Sequence, residues 1–209
     1  ESDHAIANGN VLQLSAQQIT SCTYEAGRSG CNGGRAEQAI PAAIRMGGLM
    51  LERDYPYTGR SPPCAYNEEL SVTRPVGFWS STGSEAPMIA RIFKSPMTVA
   101  IDASAYKSYS GGVMGCNAGS KNVNHAIQAV GYNGDENYWI VRNSWGSGWG
   151  MGGYAMQAAG CNAMGIAWGG AAASEIQPLN PSSAQSATAA RHPTTAANPS
   201  RGSAAADPP

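Results

Sequence analysis

Charge is scarce in this chain. Asp, Glu, Lys and Arg make up 13% of the 209 residues, and the net charge is −1. Such a sequence has no electrostatic preference for nucleic acid or for an anionic membrane surface, and neither is expected as a partner. No apolar run reaches 18 residues, so no transmembrane helix is expected. No C-x-x-C pair occurs and no second His lies beside the cysteines, which argues against a zinc site. No metal and no cofactor is expected. An initial Met and a signal peptide are missing as well. The chain starts at Glu1 inside a helical pattern, which points to a mature or truncated product, and no leader reveals the compartment.

Hydrophobic residues, by contrast, make up 42%, enough for the core of one large or two small domains. The five cysteines are Cys22, Cys31, Cys64, Cys116 and Cys161. An odd number leaves at least one unpaired within the chain. Their wide spacing fits disulfides in an oxidising compartment better than metal ligands.

Helices are expected over 1–8, ended by Gly9-Asn10, and over 36–46, ended by Gly47-Gly48. Ser15 reads as the N-cap of a helix between them. From Val72 the pattern turns to β, with strands at 76–79 and 96–103 and a short helix at 86–93. Two further runs, 126–132 and 138–142, flank Asn133-Gly134-Asp135, and Asn-Gly between apolar runs signals a hairpin. Its open end brings His125 and Asn143 together. An Asn amide that holds one ring nitrogen of a His leaves the other free to exchange a proton with a nucleophile. The plain alternative is a satisfied core His and a loop Asn.

The surrounding residues weigh against that alternative. NHAIQAVGY and YWIVRNSWGSGWG resemble the His and Asn motifs of papain-like, cathepsin L-like cysteine peptidases. GCNGG at 30–34 is a second motif of that family. The resemblance covers residues 1–168 and implies an α+β, two-domain fold. Residues 1–74 would be the remainder of a helical domain, and residues 75–170 a β-barrel-like domain. Residues 171–209, rich in Ala, Ser, Thr and Pro, read as a disordered tail.

In that family the His is general base and acid, the Asn orients it, and the Trp after the Asn shields their hydrogen bond. Those roles fall to His125, Asn143 and Trp145. Gly33 and Gly34 would bind an extended substrate through their backbone. Asn124, Ala126, Ala100 and Ala36 would join them, the three alanines shaping a roomy apolar pocket. Arg35 stands where relatives often carry an apolar or aromatic residue, and an ordinary surface position is expected for it. The resemblance pairs Cys22 with Cys64 and leaves Cys31 without its upstream partner. Relatives usually carry a Cys directly before Gly165-Ile166, where this chain has Met164; Cys161 is expected to bridge to Cys116 instead.

One family motif is missing. Cys-Gly-Ser/Ala-Cys-Trp/Tyr, which holds the nucleophile, occurs nowhere, and its place would fall before Glu1. The helical domain's central helix would lie upstream too. Three readings follow: part of an active endopeptidase working through a thioester, a catalytically dead binder of peptides or inhibitors, or an inert fragment. The first implies polypeptide substrates, a pro-segment or protein inhibitors as partners, a monomer, and a lysosomal, vacuolar or secreted location.

Overall fold

Residues 1–23 and 30–179 are described by a computed structural model of the chain. Helix α1, Ser2–Asn8, stops at Gly9, whose φ of 74° lets its N–H turn back to Ala5 O. Helix α2, Ala16–Cys22, begins under Ser15, whose Oγ accepts the Gln18 N–H at 2.9 Å. That bond satisfies one of the donors a helix start leaves open. Helix α3, Ala36–Met46, ends at Gly47, φ 93°. Helix α4 is Ala86–Ile92.

The strands are β1 Leu49–Met50, β2 Ser71–Ser81, β3 Met97–Ile101, β4 Val113–Met114, β5 His125–Asn133, β6 Tyr138–Arg142, β7 Tyr154–Ala158 and β8 Gly170–Pro178. They form one mixed sheet in the order β1-β2-β8-β3-β5-β6-β7-β4. Strand β3 shows how its two faces divide. Met97, Val99 and Ile101 are buried, whereas Thr98 and Ala100 alternate with them on the other face. The period of two places core on one side and leaves the other for a cleft. The main core gathers Met88, Val99, Ile101, Tyr106, Trp139 and Ile166. A smaller cluster of Leu12, Leu51 and Val72 serves the helical side. Each such apolar side chain contributes about 1.5–3 kcal/mol on burial.

The β5–β6 hairpin differs in its turn from the Asn-Gly expectation. Asn133 pairs with Tyr138, and four residues, 134–137, make the connection. The Asn133 side chain closes it, accepting the N–H groups of Asp135 and Glu136 at 3.0 Å each. The left-handed residue is Asn137, φ 54°, not Gly134. The local side-chain acceptor wins over the two-residue turn.

Two domain boundaries are corrected. The division at 74/75 falls inside β2, which runs from Ser71 to Ser81 with shifts of register at 75–78. The limit at 170 is also too early, because residues 171–178 belong to β8. That strand pairs with β2 from Thr73↔Pro178 to Ser81↔Gly170, and with β3 at Thr98↔Ala171 and Val99↔Gly170. Composition misled because a strand gripped on both edges needs no large side chains. Small ones fit there: a Cβ on Gly170 would meet Met97 Sδ at 3.1 Å and Met88 Cε at 3.3 Å. The rest of the expected tail, 180–209, lies outside the described residues.

Disulfides join Cys22 to Cys64 and Cys116 to Cys161, and Cys31 is free and exposed. Met164, where the resemblance would put a Cys, is fully buried. Its neighbour Gly165, φ 79°, packs so closely on 121–123 that a Cβ would come within 2.9 Å of Val123 Cγ1.

Asp102 fastens the segment that leads into β5. Its carboxylate accepts the Ser120 N–H at 2.9 Å, the Ser120 hydroxyl at 2.5 Å and the Ser104 N–H at 2.9 Å. These donors hold its pKa down at about 2, the Ser120 hydroxyl most of all. Buried carboxylates need such partners.

Two measurements check these assignments. A chain cut after Gly170 should melt several degrees below one cut after Leu179, since each kcal/mol lost shifts Tm by roughly 2–4 °C at this size. Equal melting would show that β8 adds nothing. For Asp102, the folded pKa lies below the ordinary 3.8, so its ionised form stabilises the fold above that value. The contribution fades as pH falls from about 4 towards about 2. Asp102→Asn should lower the urea midpoint at neutral pH and lose less than the wild type across that acid window. A wild-type-like acid limb in the variant would contradict this.

Candidate active site

His125 opens β5 and is held in register by pairing with Ile101 of β3. Asn143 is the first residue past β6, and its N–H donates to Gly153 O at 2.9 Å. The two side chains meet with His125 Nε2 2.9 Å from Asn143 Oδ1. Asn143 Oδ1 also accepts the Ser144 N–H at 2.8 Å, which orients the amide with its oxygen towards both donors. An amide oxygen only accepts, so Nε2 is the nitrogen that carries the hydrogen. Nδ1 makes no hydrogen bond among the described residues. Asn143 is 8% exposed, and its Nδ2 is buried without a partner. That costs about 1–3 kcal/mol, which a site tolerates for geometry and a core would remove.

Trp145 lies over this pair. Its ring stacks on His125 with centroids 5.1 Å apart and planes inclined by 29°. Behind it stands Trp149, edge-on at 5.4 Å. Trp149 in turn stacks on Tyr106 at 5.7 Å and donates its Nε1–H to Tyr106 O at 2.9 Å. Tyr106 is fully buried, and burial pushes its phenol pKa up. The aromatic column thus anchors Trp145 from within, while its own outer face is exposed to solvent. Directly after Trp149 the chain turns back at Gly150, φ 55°, where a Cβ would lie 2.7 Å from Tyr154 O.

A cleft of about 460 Å³ runs past His125. Gly33, Gly34 and Ala36 line it from the helical side; Ala100, Asn124 and Ala126 line it from β3 and the start of β5. All the residues that the sequence marks for substrate contact therefore converge with His125. The two glycines are exposed, with no atom within 4 Å of where a Cβ would stand. Asn124 is committed locally: its Oδ1 accepts the Ala103 N–H at 3.0 Å. Trp168, the single large ring in a run of small residues, lines the cleft without having been marked from the sequence. Arg35, expected as an ordinary surface position, is exposed but placed in the cleft with its guanidinium 4.8 Å from the centre of the Trp168 ring.

A second cavity of about 550 Å³ adjoins the first beyond Gly33, Gly34 and Ala36. It is bounded by Glu1 and His4 of the first turn, Ala39 and Ala43 of α3, and Gln128 of β5. His4 is fully buried, with Nδ1 3.0 Å from Thr73 Oγ1 and Nε2 buried without a partner. Burial pushes its pKa down. Among the described residues no group of three His, Cys, Asp or Glu side chains is arranged to hold a metal ion.

Comparison with known proteins agrees with this arrangement. The description "Papain family cysteine protease" matches residues 1–173. Cathepsin J of Rattus norvegicus is 38% identical over 156 residues, covering 70% of this chain and 47% of that protein. Procathepsin L of Mus musculus is 35% identical over 159 residues, covering 71% and 48%. Digestive procathepsin L 3 of Tenebrio molitor superposes with a TM-score of 0.73 at 31% identity, over 85% of this chain and 59% of that one. The chain spans about half the length of the curated relatives it matches. With its His–Asn pair, its aromatic cover and this run of matched residues, the chain belongs to the papain family of cysteine proteases.

Proposed function

We propose that the chain is the C-terminal part of a cysteine endopeptidase whose nucleophilic Cys lies upstream of Glu1. The observation that carries this is the 2.9 Å bond from His125 Nε2 to Asn143 Oδ1, under Trp145, with Nδ1 uncommitted beside the cleft. A thiolate facing Nδ1 would be stabilised by the imidazolium. It attacks the peptide carbonyl carbon; the C–N bond breaks, and His125 gives its proton to the leaving amine. Water then attacks the thioester while neutral His125 takes its proton, the C–S bond breaks to release the acid product, and the thiolate–imidazolium pair is restored. Asn143 keeps the ring in one orientation throughout, and Trp145 keeps water from competing for that bond.

The cleft supports an extended polypeptide as substrate. Gly33 and Gly34 offer open backbone to a peptide laid beside them, and Ala36, Ala100 and Ala126 leave room for an apolar side chain. The second cavity, beside the first turn of α1, is where an upstream segment would pack. A pro-segment or a protein inhibitor would use the same cleft as a substrate, and the working form would be a monomer. The two disulfides fit a lysosomal, vacuolar or secreted protein. A catalytically dead protein that still holds peptides or inhibitors through Gly33 and Gly34 is the second reading, and the open backbone of those glycines in the cleft favours it.

The 209-residue chain alone should not turn over a fluorogenic dipeptide substrate. Turnover abolished by a thiol alkylator would contradict the upstream nucleophile. In the parent protein with its upstream segment, kcat/KM should fall most for His125→Ala, by more than the roughly 10²–10⁴ that general acid–base transfer contributes, because thiolate pairing is lost as well. Asn143→Ala should cost less, and Trp145→Ala least. Full activity of a folded His125→Ala variant would defeat the proposal; full activity of Asn143→Ala would remove the orienting role.

A further inference from the structure

We propose that Arg35, held over the Trp168 ring, makes this cleft selective for peptides that place a Glu or Asp side chain against the start of α3. The proposal rests on the peptide-binding reading of the cleft and names the side-chain class it takes. Arg35 precedes α3, whereas Trp168 ends a 3-10 segment, Ala163–Trp168, just before β8. The two therefore come from different walls, and the guanidinium bridges them at 4.8 Å from the ring centre. Cation–π attraction holds the guanidinium over the ring and leaves N–H groups at its edge to donate.

That edge is little used. Arg35 makes no side-chain hydrogen bond among the described residues. Its one ion pair, Nη1 to Glu37 Oε1, is 3.7 Å long, beyond hydrogen-bond reach. The ionisable groups lining the cleft are Arg35, Glu37 and His125, so the guanidinium is the permanent cation there. A carboxylate fits such an edge with two parallel N–H···O bonds, whereas an amide of the same shape offers one acceptor. The apolar room beside Ala36, Ala100 and Gly169 takes the short aliphatic stem of Glu or Asp as it would any small apolar group, and Arg35 at its rim adds the preference for the carboxylate. The Arg35 side chain is 52% exposed, so solvent screens part of the attraction and the selectivity is modest.

The test is binding to the 209-residue chain, which needs no catalysis. The probes are the acetylated, amidated tetrapeptides Ala-Glu-Ala-Ala, Ala-Gln-Ala-Ala and Ala-Lys-Ala-Ala, followed by NMR shifts of the Trp168 indole and the His125 ring at low ionic strength. The wild type should bind the Glu peptide up to about tenfold more tightly than the Gln peptide. Added salt should shrink the gap. Arg35→Gln should abolish it, Arg35→Glu should turn the preference to the Lys peptide, and Glu37→Gln should widen it. Both side chains are solvent-accessible, and unchanged melting of each variant verifies its fold. Equal binding of the Glu and Gln peptides by the wild type overturns the proposal and leaves the peptide cleft standing, as does a Glu preference that survives Arg35→Gln. Failure of all three peptides to bind overturns the peptide-cleft reading and this proposal with it.

Discussion

One hydrogen bond, from the His125 ring to the Asn143 amide, constrains the sheet around it. The bond needs the start of β5 and the end of β6 at the same edge, with β3 holding His125 from the other side. Small changes of register there would send the His to the opposite face of the strand, since side chains alternate with a period of two. The Asp102 contacts to Ser104 and Ser120, and the close packing of Gly165 on 121–123, hold the approach to β5 in place. The column Trp145–Trp149–Tyr106 holds the other side. The site is thus a point where several separately anchored segments arrive.

A chain with few charges spends several of them inside. Glu85, 7% exposed, accepts from Trp139 Nε1 at 2.6 Å and from the N–H groups of Gly160 and Asn162 at 3.0 and 2.6 Å. It ties α4 to the loop that carries Cys161. Asp3 accepts the Ser95 hydroxyl at 2.5 Å and lies 3.4 Å from Arg91, which also donates to Ala173 O at 2.7 Å. Each carboxylate is repaid for its lost water by fixed donors. These groups act as fasteners between elements distant in sequence.

Much of this was legible in the sequence, and the reasons differ from place to place. The ends of α1 and α3 could be read because glycine answers a local need, a left-handed residue. His125, Asn143 and Trp145 were legible because their neighbours form specific motifs. Strand β8 was not, since its stability comes from pairing with β2 and β3, and nothing in Ala-Ala-Ala announces a partner. The turn at Asn133 was misjudged because two turn chemistries competed within four residues. The contact of Arg35 with the Trp168 ring joins residues more than a hundred positions apart, which no local pattern encodes.

Strand β8 also bears on how the chain acquires its shape. It lies between β2 and β3, yet it is made after all the other strands; Thr73 Oγ1 donates to Gln177 O across 104 positions. On a ribosome, β2 and β3 emerge early and must wait with facing edges unpaired until more than seventy further residues have been added. Closing so long a loop before its contacts reward it makes folding slow. During that wait the two open edges are the most exposed templates for pairing with another chain.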